Sequence, residues 1–314
     1  MNFLGIDLGG TNIAAGVVDK NGSLIAKGSV PTRKAPWQEV ISDMAKLAND
    51  VTQNAGLSMQ GIQSIGIGSP GIPDNEKGTI VRNYNLGFHN TPVRTEMQKY
   101  FSVPIQLEND ANCAALAESA IGAAKGVKHS VTITLGTGIG GGIVIDGKIY
   151  SGFNHAASEL GHMVIVRGGE KCSCGKLGCW EAYAAASALI RQTVNAAKQN
   201  PHSVIHSLVQ NNLDAVNAKT VFDAYEQGDG VAAEVIDAYI SYLSEGIINI
   251  IDILHPEVIV LGGGVSQAGD AILVPLRKAV CDGAFSTDVL QTEIRLALLG
   301  NDAGIIGAAM LGRN

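Results

Sequence analysis

At 314 residues the chain is long enough for one large or two medium domains with a real core. Hydrophobic residues make up 46% and charged residues 16%, with 39 glycines, so the chain reads as tightly packed α/β with glycines at turns. A net charge of −7 without a dense Lys/Arg run excludes an extended nucleic-acid surface, and no apolar run is long enough to span a bilayer.

The opening residues MNFLGIDLGGTN have no basic start and are interrupted by Asp7, so no signal peptide is expected and a cytoplasmic location is. Residues 3–8 predict a buried strand, then a Gly-Gly-Thr turn. Further strands are predicted at 13–19 and 23–30, joined by the Lys20-Asn21-Gly22 turn. Val40, Ile41, Met44, Leu47, Ala48 and Val51 follow helical spacing. Strands follow at 62–67 and 105–108, and a helix at about 111–124. The order then restarts, with a strand at 131–135, a glycine-rich turn at 136–142, and strands at 142–146 and 148–151. Two segments thus share strand, glycine turn, strand, turn, strand, which indicates a duplicated unit. Helices are predicted at 181–199, 231–254 and 303–311, and strands at 257–261 and 293–299. The last helix is expected to return to the first domain.

Glycine-rich turns at 7–12, 136–142 and 262–266 each follow an apolar strand. Glycine lets backbone N–H groups approach phosphate oxygens closely. Plain hairpin turns are the simpler alternative for any one of them. The stretch GTGIGGG is followed by a strand rather than a helix, which argues against a dinucleotide fingerprint, and no GxxxxGK[ST] loop exists. A nucleotide gripped by hairpin turns fits better. Asp7 could hold Mg²⁺ through water, or simply cap its turn.

Five cysteines are present, three of them within 172–179. His162, Cys172, Cys174 and Cys179 form the N/S donor set of a closed structural zinc site. Cys113 and Cys281 are expected to be isolated and buried. Asn109 and Asp110 end one strand and open a helix, where Asp110 is either an N-cap or a ligand group. Glu159 and His162 share a face if locally helical, and Glu181 follows the last clustered cysteine by two residues. Gathered Asn, Asp, Glu and His side chains suit a ligand with many hydroxyls.

Over essentially its whole length the chain resembles the ROK family (repressors, open reading frames and kinases), and within it the bacterial ATP-dependent glucokinases. The likeness is carried by Asp7-Leu8-Gly9-Gly10-Thr11-Asn12, Glu108-Asn109-Asp110-Ala111-Asn112, the glycine turn from Gly136, Glu159-Leu160-Gly161-His162, Cys172-Ser173-Cys174-Gly175-Lys176-Leu177-Gly178-Cys179-Trp180-Glu181 and Gly262-Gly263-Gly264. The resemblance implies two RNase H-like lobes of the actin/hexokinase type, with nucleotide and sugar in a cleft between them. The expected lobes are residues 1–118, rejoined by about 301–314, and 119–300 with the zinc loop.

The implied activity is transfer of the terminal phosphate of ATP to a hexose hydroxyl, glucose foremost, with Mg²⁺ and structural Zn²⁺. Asp110 is implied as the base. Gly71, Asn85, Asn109, Asp110, Glu159, His162 and Glu181 are implied to hold the sugar, His162 using one nitrogen for zinc and the other for a hydroxyl. Gly9, Gly10, Thr11, Asn12, Thr137, Gly138, Gly263 and Gly264 are expected to hold ATP. A homo-oligomer, dimer or tetramer, is expected, with no nucleic-acid or membrane partner.

The family often has Gly where this chain has Ser158, and Trp where it has Phe88. Kinases for N-acetylmannosamine, N-acetylglucosamine, fructose or mannose, and a non-catalytic sugar-responsive regulator, are the alternatives. The first phosphate turn begins at residue 7, which leaves no room for the preceding helix-turn-helix of the family's repressors.

Overall fold

The structure is a computed structural model that describes residues 1–83, 85–285 and 288–313. In chain order, the strands β1 (Asn2–Leu8), β2 (Asn12–Asp19) and β3 (Leu24–Pro31) lead into helix α1 (Trp37–Asn54) and strand β4 (Ile62–Ser69). Three short strands, β5 (Ile72–Asp74), β6 (Thr79–Asn83) and β7 (Phe88–Thr91), precede helix α2 (Val93–Met97), strand β8 (Ile105–Asn109) and helix α3 (Asp110–Ala120). Next come β9 (Ser130–Leu135), β10 (Ile139–Ile145) and β11 (Lys148–Ile149). The helices α4 (Glu181–Ala184), α5 (Ala186–Gln199), α6 (Val204–Leu208), α7 (Ala218–Glu226) and α8 (Gly230–Leu254) follow. The chain finishes with β12 (Val258–Gly262), α9 (Asp270–Gly283), β13 (Glu293–Leu296) and α10 (Ala303–Met310).

One five-stranded sheet has the order β3-β2-β1-β4-β8 and another β11-β10-β9-β12-β13. Numbered from the first strand of each repeat, these are the same order, so the duplication read from the sequence is a duplication of sheet topology. In the first sheet β1 pairs antiparallel with β2 and parallel with β4, which pairs parallel with β8. A small sheet, β5-β6-β7, is inserted after β4.

Contacts divide the chain into two compact units. The first comprises Met1–Thr132, Gly142–Ser158 and Leu298–Asn314, and the second Ile133–Gly141 and Glu159–Ala297. In the first unit, β1 shows the period-2 pattern of a two-sided strand. Leu4, Ile6 and Leu8 join Val40, Ile41, Met44, Ala48 and Val51 of α1 in one apolar cluster. Phe3 joins Ala117 of α3 and Ile306, Ala309 and Met310 of α10 in another. In the second unit α8 is the longest element. Its carboxyl-capped start (Asp229 Oδ1 accepts from Ala232 N, 3.0 Å) leads into a buried stripe from Ala232 to Ile251.

Several boundaries differ from the sequence expectation for identifiable reasons. The predicted helix at 181–199 is broken at Ala185, whose ψ of 164° is extended. The break frees the Ala186 N–H to bond the Gly136 carbonyl at 2.9 Å, so α5 begins against the glycine turn. The helix predicted to 124 stops at Ala120, where the Ala123 amide is taken by the Glu118 carboxylate (2.7 Å) instead of continuing the ladder. Cys113 is buried as expected, but Cys281 is exposed on α9. No helix among the described residues is long and apolar enough to cross a membrane.

Candidate functional site

In the first unit, the turn after β1 is closed by the Gly9 N–H donating to the Asn12 carbonyl at 2.9 Å. Thr32, just beyond β3, braces it, its hydroxyl donating to the Gly9 carbonyl (2.8 Å) and its amide to the Thr11 carbonyl (2.8 Å). Gly10, Thr11 and Asn12 are exposed, and Gly10 packs beside the exposed Asn85. The turn is thus rigid at its base and open at its tip, as a phosphate-binding hairpin requires.

Asp7 is the penultimate residue of β1, opposite Gly68 of β4. Its carboxyl pKa is raised from 3.8 to about 6, first by burial and then by the negative charge of Asp110. The start of α10 comes down on it. A Cβ added at Gly304 would lie 2.5 Å from Asp7 Oδ2, so only glycine leaves room for the carboxylate there. Concentrated negative charge held above its ordinary pKa is what a divalent cation relieves, and Asp7 and its surroundings fit Mg²⁺ on that ground.

Asp110 is the first residue of α3. The helix is capped not by Asp110 but by Asn109, whose Oδ1 accepts from the amides of Ala111 (2.9 Å) and Asn112 (3.2 Å). Asn109 Nδ2 donates to the Gly71 carbonyl at 3.2 Å, and Gly71 holds a φ of +89° in the link between β4 and β5. Asp110 is relieved of capping duty. Burial raises its pKa, opposed by the bond from the Ala111 amide (2.9 Å). A carboxylate raised in this way is a stronger base than a solvated one. The Cys113 thiol one turn on is pushed up by burial and by Glu108, Asp7 and Asp110, which keeps it protonated and inert.

In the second unit, ligand atoms of His162, Cys172, Cys174 and Cys179 all lie within 4.8 Å of one another. Cys172 Sγ is 3.6 Å from His162 Nδ1, and Cys174 Sγ 3.7 Å from Cys179 Sγ. The loop is a small knuckle, with the Cys172 amide on the Lys176 carbonyl (2.9 Å) and bridges Val164↔Cys179 and Lys171↔Leu177. Trp180, fully buried, ties it to α8 by donating from Nε1 to the Tyr242 carbonyl at 2.9 Å. These four residues could hold a metal ion.

Glu159 is exposed and precedes the short 3₁₀ turn Leu160–His162, its own ψ of 56° lying outside the helical range. Glu181 opens α4 and links two features. Its Oε1 accepts from Ser173 Oγ (2.9 Å) in the knuckle, and its Oε2 from the Ile139 amide (3.0 Å) in the glycine turn. A side chain at Gly138 would collide with this carboxylate. Thr137 is held through its carbonyl by the Ser187 hydroxyl of α5 at 2.7 Å. Gly263 (φ +86°) and Gly264 follow β12, and the Ser266 hydroxyl donates to the Gly263 carbonyl at 2.7 Å.

Sequence reasoning missed the bracing residues Thr32, Ser173 and Ser187. Only Ser173, enclosed between two clustered cysteines, carried a local signal.

Comparison with known proteins adds the following. The ROK family profile matches residues 3–314. The glucokinase of Halalkalibacterium halodurans is 36% identical over 311 residues, covering 98% of this chain and 94% of its own. The glucokinase of Thermotoga maritima is 36% identical over 313 residues, covering 99% of this chain and 97% of its own. A ROK family glucokinase from Streptomyces griseus, solved in complex with glucose and AMPPNP, matches with a TM-score of 0.86 and 32% identity over 100% of this chain and 99% of its own.

Proposed function

Because the chain belongs to the ROK family, we propose that it is an ATP-dependent hexose kinase of the glucokinase type, with Asp110 as general base. The observation that carries this reading is the full-length likeness to a glucokinase bound to glucose and an ATP analogue. The fold is the two-lobed actin/hexokinase type, and the chemistry is phosphoryl transfer to an alcohol.

In this reading Asp110 accepts the proton of the attacking sugar hydroxyl, the 6-hydroxyl of glucose. Its raised pKa and its position at the carboxyl end of β8 support that role. Asn109, Gly71, Asn85, Glu159, His162 and Glu181 are the residues proposed to bind the sugar. Backbone N–H groups of Gly9–Asn12, Thr137–Gly138 and Gly263–Gly264 cradle the phosphates. Asp7 would hold Mg²⁺, which would supply charge neutralisation at the transferring group. Most of the rate enhancement is then positioning and electrostatics.

We read the one imidazole and three thiols of the knuckle as a zinc site. Zn–S of about 2.3 Å and Zn–N of about 2.0–2.1 Å put tetrahedral neighbours roughly 3.5–3.8 Å apart. The separations of 3.6 and 3.7 Å support that assignment. His162 Nδ1 faces the thiols, which leaves Nε2 for a hydroxyl and fixes the ring's tautomer.

The test is a coupled assay of ADP release with glucose, mannose, fructose, N-acetylglucosamine and N-acetylmannosamine. Glucose is expected to give the highest kcat/KM. No sugar-dependent ADP release from any of them would overturn the kinase reading.

A further inference from the structure

Glu118 lies near the end of α3 and is 1% exposed. Among the described residues no ion pair involves it. Its charge is met by backbone amides instead. Oε1 accepts from the N–H groups of Leu298 (3.1 Å) and Leu299 (2.9 Å), and Oε2 from that of Ala123 (2.7 Å), with a second contact to Leu298 at 3.3 Å. Charge-assisted bonds of this kind are the strong ones, and each amide left buried and unpaired carries a desolvation cost.

The three amides come from two separate stretches of chain. Ala123 is on the connection leading from α3 to β9. Leu298 is the residue at which the chain re-enters the first unit. From Leu299 it passes through the 3₁₀ turn Gly300–Asp302 directly into α10. Leu298 is 73% exposed, so little apolar packing holds that residue, and the Glu118 carboxylate holds its amide.

What α10 does next gives the bond its consequence. Gly304 borders Asp7, and Gly307 lies so close to the Cys113 carbonyl of α3 that a Cβ would collide with it. The helix carrying Asp110 and the helix confining Asp7 are therefore locked in one register, and Glu118 fixes where that register starts. Eight residues of helix, about 12 Å, separate Glu118 from Asp110, so it cannot touch the reacting atoms.

We propose that Glu118 is a positioning residue for phosphoryl transfer, clamping the re-entry of the chain so that α10 and α3 hold Asp7 and Asp110 in place. The proposal rests on the kinase reading above. Displacements of about 1 Å at reacting groups cost on the order of 10²-fold in rate.

Glu118→Gln keeps the shape but turns an amide donor toward backbone donors. At a temperature where both proteins are folded, kcat is expected to fall about tenfold or more, with KM for glucose and ATP within about twofold of wild type. Leu298→Pro removes the clamped amide and should reproduce this split, whereas Leu298→Ala keeps the amide and should match wild type. The double variant Glu118→Gln/Leu298→Pro should be little worse than the more damaged single, because both remove one interaction.

An unchanged kcat in Glu118→Gln with only a lowered Tm would overturn the proposal, as would equal damage from Leu298→Ala and Leu298→Pro. Hydrogen exchange on the wild-type protein needs no variant. Slow exchange at Ala123, Leu298 and Leu299 is expected, and fast exchange would overturn the clamp. A wild-type protein without sugar kinase activity would overturn the kinase reading instead, and the exchange measurement would still decide the clamp.

Discussion

The two five-stranded sheets share one strand order and differ in what their strand ends carry. Aligned on the Leu-Gly pairs at 8–9 and 135–136, Asp7 of β1 corresponds to Thr134 of β9. The first sheet places an acid beside its glycine turn, whereas the second places none. After β4 comes Gly71, bonded to Asn109 of the next strand, and after the matching β12 come Gly263 and Gly264. The second turn draws its carboxylate from outside the sheet, from Glu181, which is also tied to the cysteine knuckle. Duplication supplied two frames. The first carries Asp7, its pKa raised by burial, beside its glycine turn, and the second a turn tied through Glu181 to the cysteine knuckle. Each half can then be broken separately.

The largest expected effect is loss of the metal proposed for the knuckle. Wild type should carry about one zinc per chain, and Cys174→Ser should lose it, because structural zinc contributes roughly 10 kcal/mol or more to ordering such a loop. Elemental analysis with steady-state kinetics checks this, and KM for sugar should rise more than KM for ATP. A zinc-free protein with full activity would break the second half of the comparison.

Next is the cost of holding Asp7. Its pKa rises from 3.8 in a free chain to about 6 in the fold, so the folded state keeps its proton longer. Stability therefore falls as pH rises through that window, and the cost is fully present above about 6. Asp7→Asn removes it. In magnesium-free buffer at pH 8 the variant should be more stable by on the order of 2–3 kcal/mol, and the gain should vanish below about pH 4. Denaturant melts at the two pH values measure the difference, and equal gains at both would contradict the assignment. Kinase activity should be lost in the same variant, since Asp7 is the residue proposed to serve Mg²⁺.

A smaller effect, more than about 1 kcal/mol, is expected for Glu181→Gln in glucose kcat/KM. Its bond to the Ile139 amide adds a second consequence. KM for ATP should rise as well, while Glu159→Gln, which opens the short 3₁₀ turn outside the glycine turn, should affect the sugar alone. If the two variants behave alike, Glu181 does not join the two features.

The smallest concerns Ser158, a non-glycine residue at φ +69°. Its hydroxyl donates to the Tyr150 carbonyl at 3.0 Å, an exposed bond that only partly offsets the backbone strain. Ser158→Gly should raise stability by about 0.5–1 kcal/mol. A fall in Tm would show that the hydroxyl outweighs the strain.

The repeated strands are legible in the sequence because their apolar runs and turn residues are local signals. The donor set His162, Cys172, Cys174 and Cys179 was legible for the same reason, since spacing alone limits what such residues do. The helix break at Ala185 was not, because Ala-rich sequence favours helix and only the bond from Ala186 to Gly136 decides otherwise. Nor was the β5-β6-β7 sheet, whose strands are short and carry Pro73, Asn83 and Asn90 in place of a clean alternation. From sequence Asp110 reads as either an N-cap or a ligand group. The structure gives the capping task to Asn109 and leaves Asp110 without it. Glu118 carried no signal at all, since its partners are backbone amides up to 181 positions away.

The most direct test of the account is steady-state turnover of Asp110→Asn with glucose and ATP beside wild type, with glucose binding measured separately. The substitution keeps the shape and removes the base. The account predicts that wild type releases ADP only as fast as it phosphorylates sugar, and that the variant binds glucose while kcat falls about 10²–10⁴-fold. Turnover of the variant near the wild-type rate would contradict it.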